Sequence, residues 1–215
     1  MPDPTQLAAL RREYAAGGLA ENDLAATWHE QLGRWLDDAD AAGVNELNAV
    51  VLATAAAAGQ PSARTVLLKA YDERGLVVFT SYASRKGLEV GENPTASLVL
   101  PYVDLERQVV VVGSVERTSV EESEAYFRTR PRGAQISVWA SRQSSVVGAR
   151  EELEMRHREL EQRFDGQDVP LPDWWGGLRL VPETVEFWQG RSNRLHDRLR
   201  FRRAGSDWVV ERLSP

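Results

Sequence analysis

The feature that most limits the fold of this chain is a series of short apolar and β-branched segments between residues 50 and 117. Most of the breaks between them are brief, and two carry the turn signals Gly59-Gln60-Pro61 and Asn93-Pro94. Strands spaced this closely leave little room for the crossover helices of parallel sheets, so the pattern predicts an antiparallel, barrel-like sheet. The predicted strands are Val50–Ala56, Arg64–Tyr71, Leu76–Ser81, Ala96–Tyr102 and Arg107–Arg117.

Helical patterns flank these strands. An apolar stripe indicates an amphipathic helix over Asn22–Ala42, and Ser119 with Glu122 forms a capping box in front of another helix. We expect a mainly β fold with flanking α (α+β), with an N-terminal helical arm (1–45) before one domain (46–215). The other predicted elements are helices at Gln6–Ala15, Val120–Thr129, Ala134–Ala140 and Gly148–Phe164, and strands at Gly177–Val181, Thr184–Gln189, Leu195–Arg203 and Asp207–Arg212.

Composition excludes several classes of protein. The chain has no cysteine, which removes disulfides, thiolate nucleophiles and cysteine metal sites, and its three scattered histidines predict no metal site. A net charge of −6 disfavours nucleic acid as a partner. No apolar run approaches the length of a membrane span and no secretory signal pattern is present, so we expect a cytoplasmic protein with no membrane partner.

Lysine is rare in this chain. Arginine supplies 24 of the 26 basic residues, and the two lysines, Lys69 and Lys86, both lie in the stretch that begins at Arg64. An ammonium is a compact point charge that a planar guanidinium does not replace at a phosphate. Ser84 can cap a short helix that begins with Arg85 and Lys86, which makes a candidate anion site. The alternative is chance retention of two surface lysines.

Strand alternation places Arg64 and Lys69 on opposite faces of their predicted strand. One small ligand would therefore have to bend around the strand edge to reach both side chains. The other possibility is that the two residues hold different ligands, and the residues alone leave both possibilities open.

A second cationic segment lies near the C-terminus, where residues 191–203 hold six arginines and one acid. Arg194, His196, Arg198, Arg200 and Arg202 alternate with other residues, which predicts a strand with one cationic face. The alternative is a solvated edge strand whose charges discourage aggregation. On the preceding strand, Trp188 shares a face with polar residues, which is typical of an interface, a ligand ring or a barrel-end cap.

Two further candidates share one helix face. Tyr126 and Arg130 are four residues apart, so they can form a phosphate clamp, although a plain surface pair is the alternative. No pairing of a nucleophile with a base and no glycine-rich phosphate loop is recognisable. A cationic and aromatic site without a nucleophile indicates that a bound cofactor carries the reaction.

The chain contains the motifs R-x-V-L-L-K at Arg64–Lys69 and F-T-S-Y-x-S-R-K-G at Phe79–Gly87. These motifs resemble the pyridoxamine (pyridoxine) 5′-phosphate oxidase family. The resemblance runs along essentially the whole chain. Its other segments are LRREY (Leu10–Tyr14), LERQV (Leu105–Val109), YFRTRPRGAQ (Tyr126–Gln135), WASRQSS (Trp139–Ser145), EFWQG (Glu186–Gly190), RLHDR (Arg194–Arg198) and ERLSP (Glu211–Pro215).

The resemblance implies an FMN-binding split β-barrel that works as a homodimer with sites at the subunit interface. It implies FMN contacts at Arg64, Thr65, Val66, Leu67, Leu68, Lys69, Phe79, Thr80, Arg85, Lys86, Gln108, Gln143, Ser144, Trp188 and Arg198. It implies substrate contacts at Arg11, Arg12, Glu13, Tyr14, Lys69, Tyr126, Arg130, Ala134, Arg194, Leu195 and His196. Two positions depart from the family pattern: Phe79 stands where many members have Tyr, and Ala134 where some place a phosphate-binding Ser.

The implied activity is oxidation of pyridoxamine and pyridoxine 5′-phosphates to pyridoxal 5′-phosphate by O2, with release of H2O2. Arg194 and His196 would position the substrate and assist proton loss, and the segment Arg11–Tyr14 could act as a lid. One alternative is a related FMN oxidase of phenazine assembly, a group that lacks the lysine at position 69. The other alternative is a split-barrel protein that binds flavin or haem without turnover.

Overall fold

The computed structural model describes Leu10, residues 13–15 and residues 17–215. The chain divides into two compact units. The larger comprises residues 48–98 and 112–182, and the smaller comprises the residues up to 47 together with 99–111 and 183–215. Most of the helix predicted at Gln6–Ala15 lies outside the described residues, and Glu13–Ala15 have no regular secondary structure.

Nine strands within the described residues form one sheet, in which the pairs β1–β2, β3–β4, β4–β7, β7–β8 and β8–β9 are antiparallel. The strand order is β2-β1-β5-β6-β7-β4-β3, and β8 pairs with both β7 and β9. With the helices, this confirms the predicted class, mainly β with flanking α. The strands are β1 (Ala49–Ala55), β2 (Pro61–Leu67), β3 (Ala70–Asp72), β4 (Gly75–Ser81), β5 (Thr95–Tyr102), β6 (Arg107–Arg117), β7 (Trp175–Gln189), β8 (Asp197–Ala204) and β9 (Asp207–Arg212).

The strand predicted over Arg64–Tyr71 is in fact two strands, because the chain changes partner at Leu68 and Lys69. The backbone N–H of Leu68 donates to the carbonyl of Asn48, next to β1, while that of Lys69 donates to Val77 in β4. β2 therefore pairs with β1, and β3 forms a hairpin with β4. A continuous apolar pattern in the sequence does not reveal such a change of partner.

The β3–β4 hairpin depends on a glycine. Gly75 pairs with Asp72 and has φ of +148°, a backbone conformation that other residues rarely adopt. A Cβ at this position would also clash with the carbonyl oxygen of Leu180 on β7. The close approach of β7 is therefore a second reason for glycine at this turn.

The helices follow the predictions except at their ends. The first begins at Trp28 instead of Asn22, because Thr27 caps it and Glu30 completes a capping box, while Glu21–Asp23 form a separate 3-10 turn. Ser119 caps α3, where its hydroxyl accepts from the Glu122 N–H. The helices are α1 (Trp28–Ala41), α2 (Arg85–Glu92), α3 (Val120–Thr129), α4 (Arg132–Ala140) and α5 (Arg150–Arg163).

Each unit has its own apolar packing. In the larger unit a buried cluster forms around Phe127, Ile136 and Trp175. In the smaller unit α1 buries one face, and the ring of Trp35 meets that of Phe187 edge-on at 5.1 Å between centroids. Within the described part of the chain, no helix has both the length and the apolar character that crossing a membrane requires.

Candidate functional site

Lys86, in the first turn of α2, is a buried cation of the larger unit. The residue is 6% exposed. Its ammonium donates to the hydroxyls of Thr80 at 3.1 Å and Ser84 at 3.4 Å. Ser84 also caps the helix by accepting from the N–H of Gly87. Burial, together with the positive charge of Arg64, lowers the pKa of Lys86. The predicted capped helix start is thus confirmed, and its lysine is buried among hydroxyls.

A loop that is distant in sequence contacts the end of β4, next to Lys86. The side-chain oxygen of Gln143 accepts from the Thr80 hydroxyl at 3.0 Å and from the Ser81 N–H at 3.2 Å. Its neighbour Ser144 has φ of +72°. Gln143 and Ser144 also line a cavity of about 920 Å³, together with Arg85. Four residues predicted by resemblance (Thr80, Lys86, Gln143 and Ser144) therefore lie around one strand end.

Glu89, which the sequence analysis missed, joins two of the predicted arginines. Its carboxylate is 2.8 Å from Nε of Arg85 and 3.5 Å from Nη2 of Arg64, and it accepts from the hydroxyls of Thr54 and Ser62. Burial raises the pKa of Glu89, but the hydrogen bonds from Ser62, Thr54 and Arg85, with the charge of Arg85, outweigh it and lower the pKa to about 2. The spacing of Arg85 and Glu89, four residues apart on one helix, was the available signal.

An aromatic stack brings Tyr126 and Arg130 together. The ring of Tyr126 stacks on Phe79 with centroids 3.9 Å apart, and the ring of Trp175 lies parallel at 6.2 Å from Tyr126. The guanidinium of Arg130 lies over Trp175, 5.0 Å from the ring centroid, and donates to the carbonyl of Ala134. Among the described residues, Nε of Arg130 is buried without a hydrogen-bond partner. Trp175 contacts Phe79, Tyr126 and Arg130 in this group and was not predicted from the sequence.

The remaining candidates of the larger unit lie on β2 and just after it. Lys69 and Thr65 are exposed, Val66 and Leu67 are half-buried, and Leu68 is buried. Lys69 therefore presents its ammonium to solvent, in contrast to the buried Lys86.

In the smaller unit, three predicted residues meet through their rings. Tyr14 meets Trp188 edge-on at 5.7 Å and His196 at 5.5 Å, and Trp188 lies 4.7 Å from His196. The N–H of Arg191 donates to Nδ1 of His196 at 3.1 Å. The ring proton of the neutral histidine is therefore on Nε2.

The predicted strand over Leu195–Arg203 starts too early. Arg194 ends a 3-10 turn with φ of +62°, Leu195 and His196 lie in the link, and β8 begins at Asp197. The single cationic face from Arg194 to Arg202 is therefore wrong for its first two members. Arg194 and Leu195 are exposed, and Gln108 on β6 is half-buried.

The β8 arginines that do share a face are matched by acids. Arg198 donates through Nε and Nη2 to both oxygens of Glu186, at 2.7 and 3.0 Å. Glu211 on β9 takes paired hydrogen bonds from both Arg200 and Arg202. The acids come from neighbouring strands, which the arginine count within residues 191–203 did not include.

Two predicted substrate residues, Arg11 and Arg12, lie outside the described residues, and the adjacent Glu13 is exposed. Among the described residues, no group of three metal-ligating side chains could hold a metal ion.

Comparison with known proteins identifies the family. A family model described as pyridoxamine 5′-phosphate oxidase matches residues 36–164. A second, described as the pyridoxine 5′-phosphate oxidase C-terminal dimerisation region, matches residues 175–215. The chain belongs to the pyridoxamine 5′-phosphate oxidase family. The resemblance seen in the sequence motifs is thereby confirmed, and the chain carries the family's dimerisation region.

Family members of known name are similar over nearly their whole length. A pyridoxine/pyridoxamine 5′-phosphate oxidase from Frankia alni is 57% identical, covering 100% of this chain and 91% of that protein. One from Cupriavidus necator is 53% identical, covering 98% and 100%. Among solved structures, PhzG from Burkholderia lata, in complex with tetrahydrophenazine-1-carboxylic acid, is 34% identical with a TM-score of 0.87, covering 93% of this chain and 99% of PhzG.

Proposed function

We propose that this chain is an FMN-dependent oxidase that converts pyridoxamine and pyridoxine 5′-phosphates to pyridoxal 5′-phosphate, with O2 as electron acceptor and H2O2 as co-product. The observation that carries the proposal is the buried Lys86 ammonium at the capped start of α2, held by hydroxyls. Such a group is suited to a phosphate. The names of relatives that are 53–57% identical supply the substrate class.

The charges of this cluster fit the phosphate of FMN. Lys86, Arg64 and Arg85 are positive and Glu89 is negative, which leaves a net charge of +2 to meet a phosphate dianion. Hydroxyl and amide groups beside them can complete the hydrogen bonding. The residues we propose for FMN are Arg64, Thr65, Val66, Leu67, Leu68, Lys69, Phe79, Thr80, Arg85, Lys86, Gln108, Gln143, Ser144, Trp188 and Arg198.

For the phosphorylated substrate we propose a second set of residues. Arg130 has a buried Nε without a partner among the described residues, which an anionic oxygen can satisfy, and Tyr126 lies against the same aromatic stack. Ala134 offers no side-chain hydroxyl, so one hydrogen bond of about 1 kcal/mol is absent there. The proposed substrate residues are Arg11, Arg12, Glu13, Tyr14, Lys69, Tyr126, Arg130, Ala134, Arg194, Leu195 and His196.

When bound, FMN supplies the two-electron chemistry that takes a hydride from the substrate and returns electrons to O2. The protein orients the substrate and handles its proton. The Nε2–H of His196 can donate to the substrate because Arg191 already occupies Nδ1. Arg194, exposed at the end of its turn, can hold the substrate from the same loop. A homodimer, a cytoplasmic location and the absence of nucleic acid as a partner are part of the proposal.

The test is a reconstitution. Purified protein is titrated with FMN, followed by flavin fluorescence, and O2 consumption is then measured with pyridoxine 5′-phosphate. We expect flavin binding, O2 uptake and formation of pyridoxal 5′-phosphate. Bound FMN without turnover of either phosphate would contradict the oxidase and favour a flavin-binding protein. Turnover of tetrahydrophenazine-1-carboxylic acid alone would favour the second candidate, a related FMN oxidase of phenazine assembly, suggested by the similarity to PhzG.

The proposed catalytic residues have a test of their own. Arg194→Ala should lower turnover at least about tenfold, because an orienting contact is lost, and should leave FMN bound. Unchanged turnover would remove Arg194 from the catalytic residues while leaving the oxidase assignment intact.

A further inference from the structure

We propose that Asp197 is a positioning residue that fastens the N-terminal segment around Leu19 to the loop bearing Arg194 and His196. The inference rests on the proposed function, since it assigns a role to the surroundings of the proposed substrate residues. All the contacts involved lie within the smaller unit. No role in binding or catalysis is assigned to Asp197 above.

The carboxylate of Asp197 collects donors from three parts of the chain. Its Oδ2 accepts from the backbone N–H of Leu19 at 3.0 Å and lies 3.5 Å from Nε of Arg191. Its Oδ1 accepts from Nη1 of Arg212 at 2.7 Å. The side chain is 18% exposed, so water competes weakly for these contacts. One acid at the start of β8 thus joins residues separated by most of the chain.

Arg212 completes the hold on Leu19. Its Nη2 donates to the Leu19 carbonyl at 3.2 Å, so the backbone N–H and C=O of one residue are both bound, one by Asp197 and one by Arg212. Arg212 also makes a bidentate pair with Glu21, at 2.8 and 2.9 Å. Paired contacts of this kind restrict direction as well as distance, so the segment has a defined entry into the unit.

The same contacts reach both sides of the proposed substrate site. Tyr14 lies five residues before Leu19 and places its ring against His196, the residue that directly precedes Asp197. Arg191 is shared, because its side chain approaches Asp197 while its N–H donates to Nδ1 of His196. Loosening Asp197 would therefore disturb both the tyrosine that covers the site and the hydrogen bond that orients the histidine.

A purely structural role is the alternative, and the two roles differ in what they change. A residue that only stabilises the fold shifts the melting temperature and leaves KM and kcat unaltered well below that temperature. A positioning residue changes KM or kcat in a protein that is fully folded and loaded with FMN. FMN affinity should stay constant, because the groups bound by Asp197 are not proposed FMN contacts.

The experiment compares Asp197→Asn with Glu211→Gln in the FMN-loaded enzyme. Both remove one negative charge that binds arginines of the smaller unit, but only the first weakens the contacts to Leu19 and Arg191, because Glu211 binds Arg200 and Arg202. We expect Asp197→Asn to change kcat/KM for pyridoxine 5′-phosphate by roughly tenfold, which corresponds to about 1.4 kcal/mol. Glu211→Gln should stay near the wild-type values, and FMN affinity should be the same in all three proteins.

A folded, FMN-loaded Asp197→Asn enzyme with wild-type KM and kcat would overturn the inference while leaving the proposed function standing. Wild-type protein that binds FMN but turns over neither phosphate would overturn both. Should Asp197→Asn not fold, Arg212→Lys tests the same tie from its other end, because a lysine cannot bind Leu19, Glu21 and Asp197 together. It should also change kcat/KM, and an unchanged value would count against the tie.

Discussion

Two cationic regions of this chain look alike in sequence and differ in what surrounds their charges. On β8, Arg200 and Arg202 are both bound by the carboxylate of Glu211 on β9. At the start of α2, by contrast, the described partners of the Lys86 ammonium are hydroxyls. The protein itself neutralises the charge of the first pair, whereas we propose that the second site accepts an external anion.

The difference teaches that a count of basic residues does not locate an anion site. Partner type and burial decide it, because a paired arginine gains little from a new anion while a buried ammonium among neutral oxygens gains much. Both kinds of partner occur around α2. Glu89 neutralises part of the charge of Arg64 and Arg85, whereas the Lys86 ammonium has hydroxyl partners.

The largest expected effect comes from Lys86→Met, which keeps the length of the side chain and removes its charge. FMN affinity should fall by roughly 10- to 100-fold, because a hydrogen bond to a charged group contributes about 1.5–3 kcal/mol. The apoprotein should be at least as stable as the wild type, since burial already disfavours the ammonium. Flavin fluorescence titration and thermal unfolding measure the two quantities.

Arg200→Met on β8 is the matched control for Lys86→Met. It also removes one positive charge, but from an arginine that Glu211 already binds. FMN affinity should not change. If both variants weakened FMN binding equally, the contrast between the two regions would be wrong.

Glu89→Gln should have an intermediate effect. The amide keeps one acceptor oxygen but loses the charge that holds Arg64 and Arg85, so we expect FMN affinity to fall several-fold and stability by about 1 kcal/mol. The same titration and a urea unfolding curve measure both. Tighter FMN binding would indicate that Glu89 acts chiefly by repelling the phosphate, and would contradict its role in holding the arginines.

The smallest effect should come from Glu211→Gln. Hydrogen bonds from Arg202 and Arg200 lower the pKa of Glu211 from 4.5 to about 2. A folded-state pKa below the unfolded one contributes stability that is fully present above pH 4.5 and is lost as the pH falls toward 2. Wild type should therefore exceed the variant in unfolding free energy at pH 7, and the gap should close in acid, with FMN affinity unaffected. A gap that persists at pH 2 would argue against the ion pairs as its source.

Much of the fold was predictable because alternation and turn residues are local signals. The errors occur where a neighbour decides the structure. The strand break at Leu68–Lys69 reflects a change of partner, and the late start of β8 reflects the turn that ends at Arg194. The start of α1 was predictable, because Thr27 and Glu30 form a capping box. The prediction followed the apolar stripe instead and placed the start at Asn22.

The candidate site was predictable only in part. Local spacing indicated the capped helix start with Lys86, but nothing local connects Gln143 to Thr80, which lies 63 residues away. That link came from motif resemblance. Trp175 was missed because a tryptophan near glycines carries no signal of chemistry without its partners in space, whereas the spacing of Glu89 from Arg85 was a signal that went unused.

The change of partner between Leu68 and Lys69 makes this short joint sensitive to length. The Leu68 N–H bonds next to β1 and the Lys69 N–H bonds to β4. Adding or deleting a single residue here would therefore turn every following side chain of β3 to the opposite face. Insertions should be tolerated at the hairpin tips and rejected at this joint. The number of residues between Arg64 and Lys69 is therefore fixed by backbone pairing, independently of the side chains in between.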